Sequence, residues 1–429
     1  MMSTEKLKSP VRWVPTLYFA MGLPFVVLNM VSAVMFKDLG ISDSQIAFWT
    51  SLIMWPWTIK FLWSPVLELY KTRKFFVVLT QIASGVLFGL VVFAINLPSF
   101  FAICIALMAV IAFSGATHDI VADGTYMSEL DKEEQARWIG WQGAFYNIAK
   151  LAATGGLVWL AGWMMDKYSS PVMAWSIVFG VLGALMLVFG LYHWRVLPCS
   201  QNRGAGAAAK GEKVSFWSGL GEVFSDFFKK KHIWYYIAFI IIYRLGEGFV
   251  MKIVPLFLKA EKAVGGGLGL SNQQIGIWYG TFGAAAFVLG SLLAGYYIAA
   301  RGLKRTLFTL CCIFNIPFLV YALLAWFQPS SMWVIGGGIA LEYFGYGFGF
   351  VGLTLFMMQQ VAPGRHQTAH YAIASGIMNL SVMLTGAASG FLSDALGYKI
   401  FFIAVMVATI PAFIMTKPIP FTYPDGKEN

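Results

Sequence analysis

The 429-residue chain is 59% hydrophobic and only 12% charged, with a mean hydropathy of +0.70. So little polar surface cannot enclose the chain in water, which excludes a soluble globular enzyme and leaves lipid as the solvent. The formal net charge of +10 does not point to nucleic acid, because the Lys and Arg residues fall almost entirely between apolar runs, where they act as topology signals.

A bilayer core of about 30 Å takes about 20 helical residues, and twelve segments are long and apolar enough: 12–36, 44–68, 74–96, 99–128, 137–165, 172–195, 232–258, 272–300, 303–327, 331–360, 366–394 and 398–416. Each is expected to be helical, since backbone groups in lipid must bond within their own segment. The polar, basic residues 1–10 precede a run long enough to span and lacking a small-residue cleavage site, so the first helix is expected to be retained. With the N-terminus taken as cytoplasmic, about 21 of the 30 Lys and Arg fall on the cytoplasmic side. Only Lys37, Lys167, Lys259, Lys262 and Lys399 fall outside. Both termini are therefore expected inside.

The longest interruption, 196–231, separates a six-helix half over 1–195 from another over 232–429. It holds a flexible Gly204-Ala-Gly-Ala-Ala-Ala209 piece. An amphipathic stretch follows, in which Phe216, Trp217, Leu220, Val223, Phe224, Phe227 and Phe228 recur at helical spacing before Lys229-Lys230-Lys231, as in a helix lying in the cytoplasmic interface. The halves echo each other. Gly40-Ile-Ser-Asp-Ser-Gln-Ile-Ala-Phe-Trp49 opens span two and Gly269-Leu-Ser-Asn-Gln-Gln-Ile-Gly-Ile-Trp278 opens span eight. A second pair links Gln135 through Asn147 with Gln367 through Asn379. The two offsets, 229 and 232 residues, nearly agree, as one internal duplication requires. Cys104, Cys199, Cys311 and Cys312 show no metal or redox spacing.

Ser64-Pro-Val-Leu-Glu-Leu-Tyr-Lys-Thr-Arg-Lys74, after span two, resembles the acidic-then-basic loop of the major facilitator superfamily, with Glu68, Arg73 and Lys74 in the gating places. Its counterpart ending Arg301-Gly-Leu-Lys304-Arg305 keeps the basic residues and lacks the acid. A narrower resemblance, to AmpG-type muropeptide permeases and their acetyl-CoA transporter relatives, is carried by Lys60-Phe-Leu-Trp-Ser-Pro65 and by His118-Asp-Ile-Val-Ala-Asp123 with Glu129 following. The sequence departs from that family at His118, usually Gln, and at Gly124, usually Ala. The resemblance implies an all-α integral membrane protein of the major facilitator fold. Twelve transmembrane helices form two six-helix halves, and spans one, four, seven and ten line a central cavity that binds substrate near the midplane.

Ionisable residues inside spans are costly in lipid and normally face a bundle interior. Most of them lie on the implied lining spans: Asp119 and Asp123 on four, Arg244, Glu247 and Lys252 on seven, and Glu342 on ten. Span one contributes Asn29 and a Gly22-Leu-Pro24 break but no charge. Asp119 and Asp123 share one helical face, and two close carboxylates make one a candidate proton carrier. The other reading is a structural polar cluster with Lys60 or Arg137. Asp119, Asp123 and Glu342 are the proton-coupling candidates. Arg244 either pairs with Glu247 or Glu342, or holds a substrate carboxylate in bidentate fashion. Lys150 suits the same task as a point charge. Asn147, Gln142 and Asn379 are placed to bond a sugar or one another, and His118 and Lys60 complete the substrate-binding candidates. Gly345-Tyr-Gly-Phe-Gly349 lacks a phosphate-loop context and reads as close helix packing or a bend. His366 and His370 have metal spacing but no third ligand, so no metal or cofactor is expected.

These residues fit a proton-coupled importer of a cell-wall-derived amino sugar or muropeptide, monomeric and multi-pass in the inner membrane. The partners are a small molecule, protons and the bilayer, without nucleic acid. The alternative is a facilitator for another solute, such as an oligosaccharide, nucleotide-like molecule or drug, including export. No nucleophile or cofactor constellation supports an enzyme.

Overall fold

A computed structural model describes residues 9–41, 43–69, 72–198, 216–262, 266–270 and 272–424, and every regular element among them is helical. The Gly204–Ala209 piece and Cys199 lie outside the described residues, as do the side chains of Glu68 and Lys252. Among the described residues, ten helices are long and apolar enough to cross a membrane, including Phe100–Glu129 for span four and Met332–Val361 for span ten. The two missing from that set are the predicted spans two and seven, and both are present as broken helices.

Span two runs Asp43–Ile53, Trp55–Ile59, a 3-10 turn Lys60–Leu62 and Ser64–Leu69. Span seven runs Ile233–Tyr243 and Leu245–Lys259, interrupted at Arg244. The residue at each break has nearly the same backbone, φ −100°, ψ 9° at Ile59 and φ −100°, ψ 8° at Arg244. Each break carries or adjoins a buried cation, Lys60 or Arg244. Irregular backbone at membrane depth is tolerated only where protein or a polar site satisfies it. The expected break at Gly22-Leu-Pro24 takes a different form, because the helix continues through Pro24 and widens into a π-turn at Val27–Val31. Further π-turns lie in spans five, eight and ten, at Ala152–Leu157, Gly276–Phe282 and Met357–Val361.

Helix ends follow local chemistry. Thr72 caps span three by accepting from the Phe75 amide at 3.2 Å, and Ser170 caps span six, before Pro171, by accepting from Met173 at 3.3 Å. Spans eleven and twelve are two helices within Gln367–Thr416 that meet at a kink at Gly397, whose φ of 67° is non-helical and open to glycine at little cost.

Internal contacts divide the chain into two compact units. Unit 1 comprises Met1–Leu130, Phe145–Val223 and His366–Ala372, and unit 2 comprises Asp131–Ala144, Phe224–Arg365 and Ile373–Asn429. Span five thus begins in unit 2 and continues in unit 1. Unit 1 is cored by Leu23, Val27, Phe88, Met108, Trp175 and Phe179, among others. Gly85 of span three and Gly183 of span six bring their backbones together so closely that a Cβ on either would stand 2.8–2.9 Å from the other's carbonyl oxygen. Unit 2 repeats the device, since a Cβ on Gly290 would overlap the Phe344 carbonyl and one on Gly347 that of Phe287. Gly345 and Gly349 abut Ile313, Leu310 and Phe314 of span nine, so the glycine cluster of span ten is a helix-packing surface.

Candidate functional site

Unit 1 gathers polar groups around the last turns of span four. Lys60, presented by the 3-10 turn, donates to Asp119, and the two side chains are only 5% and 11% exposed. One turn on, Asp123 accepts from the Tyr18 hydroxyl of span one at 2.9 Å. The Tyr18 and Tyr126 rings meet edge-on at 5.9 Å, and Tyr146 and Tyr371 lie within electrostatic reach of both carboxylates. Span four has no apolar stripe here: His118, Asp119, Asp123 and Thr125 are all buried among neighbouring helices. The two carboxylates of one helix face therefore have different partners, an ammonium for Asp119 and a phenol for Asp123. Arg137, the other cation considered for Asp119, is exposed.

His118 turns toward spans three and six. Its Nε2 lies 2.9 Å from Nε2 of Gln81, whose Oε1 lies 2.9 Å from Nδ1 of His193, and Nε2 of His193 reaches the Thr16 hydroxyl at 3.0 Å. This buried chain joins spans one, three, four and six. It places His118 in a hydrogen-bonded packing layer, apart from the carboxylates.

In unit 2 the break in span seven places Arg244 one turn before Glu247, and Nε and Nη2 donate to the two oxygens of that carboxylate. The guanidinium also lies over the Phe350 ring, 5.1 Å from its centroid. Glu342 is held by the Tyr321 hydroxyl at 2.7 Å, so the cation of span seven and the acid of span ten have separate partners. Tyr279, Tyr343 and Tyr346 form edge-on ring contacts beside them.

The softer candidates are dispersed. Gln142 is buried and Asn147 half-buried, whereas Lys150 and Asn379 are exposed. Arg73 donates from Nη2 to the Thr368 hydroxyl at 3.3 Å, and a Cβ on Gly124 would stand 2.9 Å from both Arg73 and Thr368. Lys74 donates to the Leu197 carbonyl at 3.0 Å. His366 lies 3.8 Å from Glu222, and His370 3.3 Å from the Val223 carbonyl, so the pair packs against the helix Phe216–Phe228.

Tyr18, Gln81, His193 and Tyr321 were not singled out by sequence reasoning. His193 carried a usable signal, an ionisable side chain inside a span. The two tyrosines carried none in a chain that is 17% aromatic.

Broken spans and buried, paired charges mark a polar site inside a multi-pass helical membrane protein. The profile of the major facilitator superfamily matches residues 16–369 and 240–428, and the chain belongs to that superfamily. It is 24% identical over 402 residues to the anhydromuropeptide permease of Escherichia coli, covering 92% of this chain and 77% of that protein. It is 25% identical over 411 residues to an uncharacterized protein of Haemophilus influenzae, covering 92% and 91%. Among solved structures it is similar to the transporter FucP in the outward conformation, with a TM-score of 0.69 at 14% identity over 94% of this chain and 96% of that one. A bacterial homologue of the iron transporter ferroportin gives 0.65 at 15% identity over 94% and 97%.

Proposed function

We propose that the protein imports a cell-wall-derived amino sugar or muropeptide with protons, by alternating access of two six-helix halves, 1–195 and 232–429, joined by 196–231. It works as a monomer in the inner membrane with both termini cytoplasmic. The observation that carries this reading is the division of labour on span four, where Asp119 neutralises Lys60 while Asp123, one turn away, is held by a neutral phenol.

Charge balance explains why protons and an anionic solute would travel together. Leaving one member of a buried ion pair uncompensated costs several kcal/mol, about 3–5. A substrate carboxylate can therefore claim Lys60 only if the negative charge around it falls by one, and a proton on the acidic pair supplies that change. The proton and the anion then enter as a net neutral load. The named function of the Escherichia coli relative supplies the substrate class, a glycan bearing carboxylates. Aromatic side chains around both polar groups suit sugar rings.

The test is uptake into proteoliposomes of labelled anhydromuropeptide, with chitobiose and free N-acetylglucosamine as competitors. Saturable uptake displaced by unlabelled muropeptide but not by the uncharged sugars is expected. Uptake displaced equally by uncharged sugars would remove the carboxylate from recognition, and with it the role given to Lys60.

A further inference from the structure

The segment after span twelve is bound by side chains that the transport reading leaves unused. At the π-turn ending span ten, Gln360 is 1% exposed. Its Oε1 accepts from the Thr422 and Tyr423 amides at 2.9 and 3.0 Å, and its Nε2 donates to the Tyr423 carbonyl at 2.8 Å. One side-chain amide thus pairs with the backbone much as a neighbouring strand would. Tyr236 of span seven reaches the Thr422 hydroxyl at 2.7 Å, and the Phe356 and Phe421 rings meet edge-on at 5.8 Å.

The same segment extends to the start of span five. Lys132 donates to the Pro424 carbonyl and lies 5.8 Å from the centroid of the Tyr423 ring. Its own carbonyl accepts from Gln359 Nε2 at 3.1 Å. From the linker, Lys230 donates to the carbonyls of Val361, Ala362 and Pro363 at 2.5, 3.2 and 2.7 Å, closing the end of span ten as a cation does at a helix C-terminus. All of these groups belong to unit 2, yet Lys132 heads a helix that continues into unit 1 from Phe145 onward.

We infer that residues 417–424 form a strap that clamps the start of span five to the end of span ten, and that the strap must unfasten for the halves 1–195 and 232–429 to change their arrangement. The contacts stand on their own; the consequence for the cycle rests on the alternating-access reading. Segment 131–144 cannot leave unit 2 while Tyr423, Pro424 and Gln359 hold Lys132. The strap therefore sets how often this end of the protein opens, whatever the solute.

Ala136 reports that opening without touching the strap. It is 6% exposed and faces span eight, where a Cβ on Gly295 would lie 3.3 Å from the Ala136 carbonyl. The experiment measures the labelling rate of Ala136→Cys by a water-soluble maleimide, in nanodiscs without substrate. Three backgrounds are compared: the full chain, Gln360→Ala, and the chain stopped after Thr416. Labelling follows the population of the open form. Loss of the three Gln360 bonds should raise the rate at least about tenfold, and removal of the segment should raise it at least as much. The Gln360→Ala protein decides the matter if the shortened chain does not fold. A finite rate equal in all folded variants, or slower in the variants, would overturn the strap while leaving alternating access intact. Complete protection in every variant would overturn both.

Discussion

The Asp119 and Asp123 carboxylates offer a matched perturbation, since the same Asp→Asn change meets different surroundings one helical turn apart. Asp119→Asn leaves the Lys60 ammonium, 5% exposed, facing a neutral amide. Breaking a buried pair costs about 3–5 kcal/mol when a partner is removed, and because the Asn oxygen still accepts, the lower end, about 3 kcal/mol, applies. Asp123→Asn keeps an oxygen for the Tyr18 hydroxyl. It exchanges a charge-assisted hydrogen bond for a neutral one, a loss of about 1 kcal/mol. Equilibrium unfolding in mixed micelles, followed by tryptophan fluorescence, should separate the two variants by about 2 kcal/mol on these figures. Adding Lys60→Met to Asp119→Asn should recover most of the loss by removing the stranded cation. Equal destabilisation by the two Asn variants, or additive losses for Lys60→Met with Asp119→Asn, would refute the assignment of Asp119 as the paired acid.

Other consequences follow from the packing and the charges. Gly140→Ala drives a Cβ into the Ser291 carbonyl and the Leu292 backbone, which cannot swing aside, and should cost about 1–3 kcal/mol in the same unfolding assay. Gly162→Ala, on an open face of span five, should be neutral or stabilising by about 0.5–1 kcal/mol. Tyr321→Phe withdraws the donor to buried Glu342 and should cost about 1–3 kcal/mol, whereas loss of a hydroxyl with no partner would cost almost nothing. Burial pushes the Lys230 ammonium down from 10.5 to about 8, with Asp226 pulling the other way. The unfolded chain then holds more protons on this group between those two values, so its contribution to stability rises with pH across that window. The melting temperature of wild type relative to Lys230→Met should climb from about pH 8 to about pH 10, and a flat difference would contradict the burial of this amine.

Most of the fold was legible because lipid imposes a simple rule: a helix of about 20 apolar residues for each crossing. The break in span two had a signal in Pro56 and Pro65, which stand just after its interruptions, whereas nothing in the composition around Arg244 separates it from an ordinary charge within a continuous helix. Arg244 and Glu247 could be read as neighbours because three residues make about one turn. Lys60 with Asp119 was one of two pairings the sequence left open, and only packing of spans two and four chose it. Span one carries no charge to mark its role, and its contribution to the acidic pair is the hydroxyl of Tyr18. His118 adjoins Asp119 in sequence. A helix turns about 100° per residue, and that turn points its ring at Gln81.

Proton coupling through Asp123 is tested most directly by uptake of labelled anhydromuropeptide into proteoliposomes with and without an imposed inward proton gradient, comparing wild type with Asp123→Asn. The account predicts gradient-driven accumulation in wild type, and in the variant only gradient-independent equilibration, with the protein still folded. Accumulation that persists in Asp123→Asn, or wild-type uptake indifferent to the gradient, would contradict it.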